Sequence, residues 1–323
     1  MLTLQRLKRI KLATIPRGQQ LLANLVLRFD YRLPRRTKIE LVGTENLPDH
    51  PVIFAMNHTD RYNYWPFQYQ LYRAGHGFTA TWVKGKYYEN PAIGAFMDSC
   101  NNIPLPSRGY VIATEFRAAL GRVPTNAEYR LLRDVVDRHR SLDDPLPEDT
   151  SADLRGFLGT GDFLARFDRL FGAMMDEVLR LCRSAIEEQD VHLLVFPQGT
   201  RSKRLTRGHT GVAQVAQHLG ATIIPVGCNG SDRVYPGNSP LARGGRIVYR
   251  MGPPLTADGP EFAPHRVPAS ARPFSHEATA QHGAAYQAIT DIVMDRINDL
   301  LDPEYQRQEG VEAEATSVSR FIE

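Results

Sequence analysis

Leu193-Leu194-Val195-Phe196-Pro197-Gln198-Gly199-Thr200-Arg201-Ser202 is the stretch on which the reading of this chain turns. An apolar run stops at Pro197, a Gly–Thr pair turns the chain, and an arginine follows at once. Lys203, Arg204 and Arg207 crowd the same loop before Gly208 opens an apolar-periodic segment. The pattern predicts a buried strand over 191–196 that delivers a guanidinium fork and backbone N–H groups to a sheet edge. Such a layout suits an oxyanion such as phosphate. The same residues also read as an ordinary basic turn after a core strand, and the choice rests on the rest of the chain.

Working outward, short apolar runs at 39–42, 52–55, 78–83, 222–226 and 246–250 predict further strands, with an extended segment at 103–109. Helical periodicity appears at 65–72, 91–97, 111–120, 126–138 and 211–219. A long helix carries Leu164, Phe167, Phe171, Met174, Val178, Leu181 and Ala185 on one face, most simply a core stripe. Tyr286, Ile289, Val293, Ile297 and Leu300 mark a C-terminal helix, and 252–283 reads as a long loop. Strands alternating with helices indicate an α/β fold.

The chain has 323 residues, 42% of them hydrophobic, enough for one large α/β domain or two ordinary ones. Net charge is only +3, but residues 1–38 hold Arg6, Lys8, Arg9, Lys11, Arg17, Arg28, Arg32, Arg35, Arg36 and Lys38 against the single acid Asp30. That asymmetry points to an anionic partner. Residues 2–29 read as helix, broken near Pro16–Gly18, with Leu4, Leu7, Leu21, Leu22, Leu25 and Val26 at helical spacing. A basic amphipathic helix of this kind lies in an anionic lipid interface or packs on its own domain, and the charge bias favours the lipid. No apolar run reaches the roughly eighteen residues of a membrane span, and no signal peptide is evident. Cys100, Cys182 and Cys228 lack metal or redox spacing, which fits a reducing cytoplasm. Basic residues without interleaved aromatics or a recognition motif argue against nucleic acid.

Four polar loops follow buried or extended runs: 57–63, 103–109, 196–207 and 224–230. Their order and content resemble the glycerolipid acyltransferases, the family that includes lysophosphatidic acid acyltransferases. Asn57-His58-Thr59 resembles the first block of that family, an Asn-His followed by four residues and an Asp. Ile103-Pro104 with Arg108-Gly109 is similar to the second, whose arginine contacts the acceptor phosphate. Phe196-Pro197-Gln198-Gly199-Thr200-Arg201-Ser202 resembles the third, Phe-Pro-Glu-Gly-Thr-Arg-Ser, and Ile224-Pro225-Val226 the fourth. The resemblance spans about 39–250, with 111–189 set apart as a helical insertion.

The resemblance implies a mixed, mostly parallel sheet flanked by helices, with His58 as general base, oriented by Asn63 or supplied with charge by Asp60. It also implies that Arg108 and Arg201 clamp the acceptor phosphate, with the amides around Gly199 and Thr200 binding an oxyanion or phosphate. Lys84, Lys203, Arg204 and Arg207 would add positive potential. Two positions depart from the family: Asn63 and Gln198 stand where it has carboxylates. An amide still orients the imidazole but supplies no counter-charge.

The implied reaction moves an acyl group from acyl-CoA or acyl carrier protein to a lysophospholipid hydroxyl, foremost 1-acylglycerol-3-phosphate. It requires no cofactor or metal. The competing reading is a lipid- or acyl-carrier-binding protein with catalysis lost. The expected organisation is a membrane-contact segment over 1–36, a catalytic domain over 37–302 and a disordered tail over 303–323, peripheral on the cytoplasmic face of the membrane.

Overall fold

A computed structural model describes residues 2–159 and 162–308. Seven strands form one sheet: β1 (Thr37–Val42), β2 (Ile53–Met56), β3 (Thr79–Lys84), β4 (Asn102–Leu105), β5 (His192–Val195), β6 (Ile223–Asn229) and β7 (Gly245–Met251). Their spatial order is β1-β7-β6-β2-β5-β3-β4. Every pairing is parallel except β6 with β7, so the sheet is mixed and mostly parallel.

Both faces of the sheet are covered, which is why its central strands are apolar runs without alternation. Ile53 and Ala55 of β2 join one core cluster with Ile103, Leu193 and Val195. Phe54 and Met56 point to the other, with Leu194, Ile224, Val226 and Tyr249. The helices follow in chain order: α1 (Leu4–Arg9), α2 (Arg17–Leu21), α3 (Arg28–Asp30), α4 (Tyr64–Arg73), α5 (Pro91–Ser99), α6 (Arg108–Leu120) and α7 (Asn126–Val136). Then come α8 (Ala152–Gly159), α9 (Phe163–Arg183), α10 (Gly211–Leu219), α11 (Ser231–Val234) and α12 (His276–Asp299). Side chains of α6 to α10 and α12 build the first cluster; the segment 23–31 and α4 build the second.

The N-terminal reading needs correction. Residues 10–16 are not helical, because Ala13 pairs with a side chain instead of a helical turn. Its N–H donates to Asn101 Oδ1 at 3.1 Å, and its carbonyl accepts from Asn101 Nδ2 at 2.7 Å. Leu2, Leu7 and Ile10 are buried in the body, and the Leu7 and Ile10 carbonyls accept from Arg180. The first half of the expected membrane-contact segment 1–36 is therefore largely packed on the body of the protein. In the second half α2, a wider turn over Leu22–Leu27, and α3 form one continuous helical run. Gln19, Ala23, Leu27 and Tyr31, spaced by four, face inward. Leu21, Leu25, Phe29 and Leu33, equally spaced, face out, with Leu21 60%, Phe29 62% and Leu33 68% exposed.

Two further expectations change. α12 begins at His276, inside the expected loop, where Ser275 Oγ accepts from the Ala278 N–H. Residues 303–308 of the expected tail are ordered: Tyr305 is buried, and its carbonyl accepts from the Leu205 N–H at 2.8 Å. Residues 309–323 lie outside the described residues.

Candidate active site

β2 and β5 are adjacent and parallel, so the loops that follow them leave the same edge of the sheet. In doubly covered sheets that carboxyl edge is where sites form. The two loops are bonded to each other on both sides of one residue. The His58 N–H donates to Gln198 Oε1 at 2.9 Å, and the His58 carbonyl accepts from the Ser202 N–H at 2.9 Å. The imidazole stacks on Phe196, with ring centroids 4.2 Å apart.

Asn63 fixes the tautomer of that imidazole. Its Nδ2 donates to the Asn57 carbonyl at 2.8 Å, which turns its Oδ1 towards His58 Nδ1, 3.0 Å away. An amide oxygen only accepts, so Nδ1 carries the proton and Nε2 is left with a free lone pair. Asn63 is fully buried and has no freedom to flip without losing the bond to Asn57. Burial holds the His58 pKa down, to about 4. The Asn63 hydrogen bond opposes that shift, whereas the nearby Arg201 and Lys84 charges add to it.

Asn57 is the residue whose role the sequence does not reveal. Its side chain bonds reciprocally to the Cys228 backbone on β6, Nδ2 to the carbonyl at 3.0 Å and the Cys228 N–H to Oδ1 at 2.7 Å. The pair stitches the loop after β2 to the neighbouring strand, and its carbonyl then holds Asn63. An Asn beside a candidate His was the available signal.

The amide at 198 has a local cause. Gln198 Oε1 takes the His58 N–H, while its Nε2 reaches the Arg204 carbonyl at 3.4 Å and Thr206 Oγ1 at 3.2 Å. A carboxylate would face the Arg204 carbonyl with no proton to offer. Gly199 sits at φ +66°, and a Cβ there would lie 2.8 Å from the His209 ring, so the turn requires glycine. Its N–H donates to the Phe196 carbonyl at 3.0 Å and is not available to an oxyanion, contrary to expectation. The Thr200 N–H has no acceptor among the described residues.

Arg108 does not line the cavity that Arg201 lines. Arg108 begins α6 beyond the edge strand β4, where Nη1 pairs with Asp137 at 3.0 Å and the guanidinium lies over Phe171. Asp60 does not back His58 either: its oxygens accept from the Tyr62 N–H and Thr59 Oγ1, both at 2.9 Å. Burial, with a smaller contribution from Asp232, raises its pKa. Arg201 is exposed and lines a cavity of about 370 Å³ with Arg61, Asp60, Asp232 and Asn238. Lys84 ends β3 within electrostatic reach of His58, and Arg207 is exposed on the loop.

Lys203 and Arg204 serve the C-terminal segment instead of a ligand. Lys203 pairs with Glu304 at 3.0 Å, and Arg204 donates to the carbonyls of Pro303 and Gln306 at 3.4 and 3.3 Å. Tyr305 Oη completes this strap by donating to Asp232 at 2.6 Å.

The acyltransferase family model matches residues 164–229. That segment holds α9, β5, the loop with Gln198 and Arg201, α10 and β6. It includes α9, which the sequence reading had set apart in the insertion; Leu181, Cys182 and Ala185 of that stretch are core residues beneath the sheet. Among solved structures the chain is similar to the 1-acyl-sn-glycerophosphate (LPA) acyltransferase PlsC from Thermotoga maritima. The two are 14% identical over 90% of this chain and 79% of that one, with a TM-score of 0.38, a likeness too loose to carry an argument. No curated protein sequence matches the chain. The acyltransferase family model thus matches 164–229, and the Asn57-His58 loop is hydrogen-bonded to the matched residues on both sides of His58.

Proposed function

We propose that this acyltransferase moves a fatty acyl group from acyl-CoA or acyl carrier protein to the free hydroxyl of a lysophospholipid at an anionic membrane surface. His58 is the general base. The observation that carries the proposal is the chain of contacts Asn57 carbonyl, Asn63 amide, His58 Nδ1, which leaves Nε2 neutral and unprotonated. Nε2 takes the hydroxyl proton as that oxygen attacks the thioester carbonyl; the C–O bond forms, the C–S bond breaks, and the thiolate leaves with the proton. The Thr200 N–H, without an acceptor among the described residues, is a backbone donor for the developing oxyanion. Mixing purified protein with labelled acyl thioester and lysophospholipid tests the reaction. One phospholipid should form per thiol released; thiol release without ester, or neither product across both donors, contradicts it.

The resemblance to glycerolipid acyltransferases pointed foremost to 1-acylglycerol-3-phosphate, with Arg108 and Arg201 as its phosphate ligands. Arg108 is paired with Asp137, so the reading rests on Arg201, and the acceptor class it supports is a lysophospholipid. The second reading, a lipid-binding protein without turnover, is favoured by one observation: Asn63 offers the imidazolium no counter-charge, and Arg201 and Lys84 oppose its formation.

The pH dependence follows from the same geometry. With a folded-state pKa near 4 against the ordinary 6.5, His58 stays neutral and competent as a base well below pH 6. The acid limb of kcat/KM should fall near pH 4, and a limb at pH 6–7 contradicts the account. Stability has the matching sign. From pH 6.5 down to 4 the unfolded chain binds a proton that native His58 refuses, so stability declines as pH falls through that window. Asn63→Asp places a carboxylate at Nδ1 and should move the limb up by more than about one unit.

Membrane contact is proposed for 17–33. Leu21, Leu25, Phe29 and Leu33 are exposed in one stripe, with Arg17, Arg28, Arg32, Arg35 and Arg36 exposed beside them. Exposed apolar side chains rimmed by cations suit an anionic lipid interface. No helix among the described residues is long and apolar enough to cross a membrane. The double substitution Leu25→Asp, Phe29→Asp should weaken binding to phosphatidylglycerol vesicles by about a hundredfold. Added salt should weaken the wild type. Unchanged sedimentation with vesicles removes this part of the proposal.

A further inference from the structure

The cavity beside Arg201 has an unusual charge pattern. Arg61 and Arg201 contribute two guanidiniums, and Asp60 and Asp232 two carboxylates, around about 370 Å³. None of the four forms an ion pair among the described residues. Other exposed or half-buried charges do pair: Arg108 has Asp137, Arg250 has Asp302, and Lys203 and Arg233 share Glu304. Three of the four have other contacts. Arg61 lies against the rings of Tyr62 and Tyr87. Asp60 is taken up by the Tyr62 N–H and Thr59, and Asp232 by Tyr305 Oη.

The volume falls in the range of small-molecule sites, roughly 300–1,000 Å³. A phosphate monoester would satisfy the guanidiniums but would also meet two carboxylates of its own sign. A neutral polyol head group would leave all four charges without a counter-charge. A ligand carrying both a phosphate and an ammonium answers both pairs. Burial raises the Asp60 pKa, Asp232 adds a smaller push in the same direction, and hydrogen bonds such as that from Tyr62 oppose both; a bound ammonium would favour the ionised carboxylate.

We infer that this cavity is the acceptor head-group site and that it selects a zwitterionic phosphodiester, phosphate towards Arg201 and Arg61 and ammonium towards Asp232 and Asp60. The inference rests on the lysophospholipid reading, because Arg201 and Thr59 join the cavity to the His58 loop. It makes the favoured acceptor a lysophospholipid of the phosphoethanolamine type instead of 1-acylglycerol-3-phosphate.

The test uses the full chain, wild type and Asp232→Asn; the asparagine still offers Tyr305 an acceptor, so only charge changes. Binding of glycerophosphoethanolamine and of glycerol 3-phosphate is measured by calorimetry, and acyl transfer by using the two corresponding lysophospholipids as acceptors. The wild type should bind the zwitterion about tenfold more tightly, and Asp232→Asn should erase that preference by weakening the zwitterion and tightening the monoester. Equal or tighter binding of glycerol 3-phosphate by the wild type overturns the inference. So does a preference unmoved by Asp232→Asn, or no measurable binding of either compound. Zwitterion preference with no acyl transfer to either acceptor upholds the site and instead overturns the acyl-transfer reading.

Discussion

His58→Ala is expected to lower kcat for acyl transfer by about a hundredfold to ten-thousandfold, the usual contribution of a positioned general base. The fold should survive the change. The backbone contacts of residue 58 to Gln198 and Ser202 are made by its N–H and carbonyl and persist in alanine. What is lost is the stacking on Phe196 and the hydrogen bond to Asn63. The melting temperature should therefore move by only a few degrees, about 2–4 °C. Added imidazole should restore part of the rate, because the cavity left behind faces the same Asn63 oxygen. A variant that turns over at the wild-type rate removes His58 from the mechanism.

Asn57→Ala should be the most damaging substitution that touches no substrate. It strands the N–H and carbonyl of buried Cys228, which Asn57 satisfies at 2.7 and 3.0 Å. Each unsatisfied buried group costs about 1–3 kcal/mol, so the loss of both should be about 2–6 kcal/mol in urea unfolding. Activity should fall further than the unfolded fraction explains, because the Asn57 carbonyl holds Asn63, and Asn63 holds the imidazole. Asn57→Asp keeps the acceptor and loses the donor to Cys228, and should lie between. A stability change below about 0.5 kcal/mol would show that the stitch is dispensable.

Much of this arrangement was legible because it depends on local pattern. Runs such as Val52–Ala55 and Leu193–Val195 are apolar without alternation, the mark of strands covered on both faces, and they lie at the centre of the sheet. The turn after β5 announces itself through Pro197 and Gly199, whose backbone demands are intrinsic. The failures share a different cause. Residues 10–16 have helical spacing, yet Asn101, about ninety positions away, captures both polar groups of Ala13. Arg108 carries the right residue type in the right block, but Asp137, just after α7, pairs with it. The start of α12 is rich in Ala, His and Gln and shows no large apolar stripe, so periodicity could not find it. The ordered segment 303–308 is short and polar in sequence, and contacts with distant residues such as Lys203, Arg204 and Asp232 fix it. Long-range side-chain pairing is absent from any local window.

The role of Gln198 illustrates the same point at the site itself. Read against the family, it is a lost carboxylate. In the fold it is a two-ended bridge between His58 and the Arg204–Thr206 turn. Gln198→Glu tests that view without altering the length of the side chain, and should loosen the loop instead of raising activity.

The central claim is that His58 presents a neutral, unprotonated Nε2 because Asn63 holds the proton on Nδ1. Nitrogen NMR of the imidazole, with His58→Ala used to assign its signals, measures this directly. The account predicts the Nδ1–H tautomer at neutral pH and titration near pH 4. An Nε2–H tautomer, or titration at the ordinary value near 6.5, would contradict it.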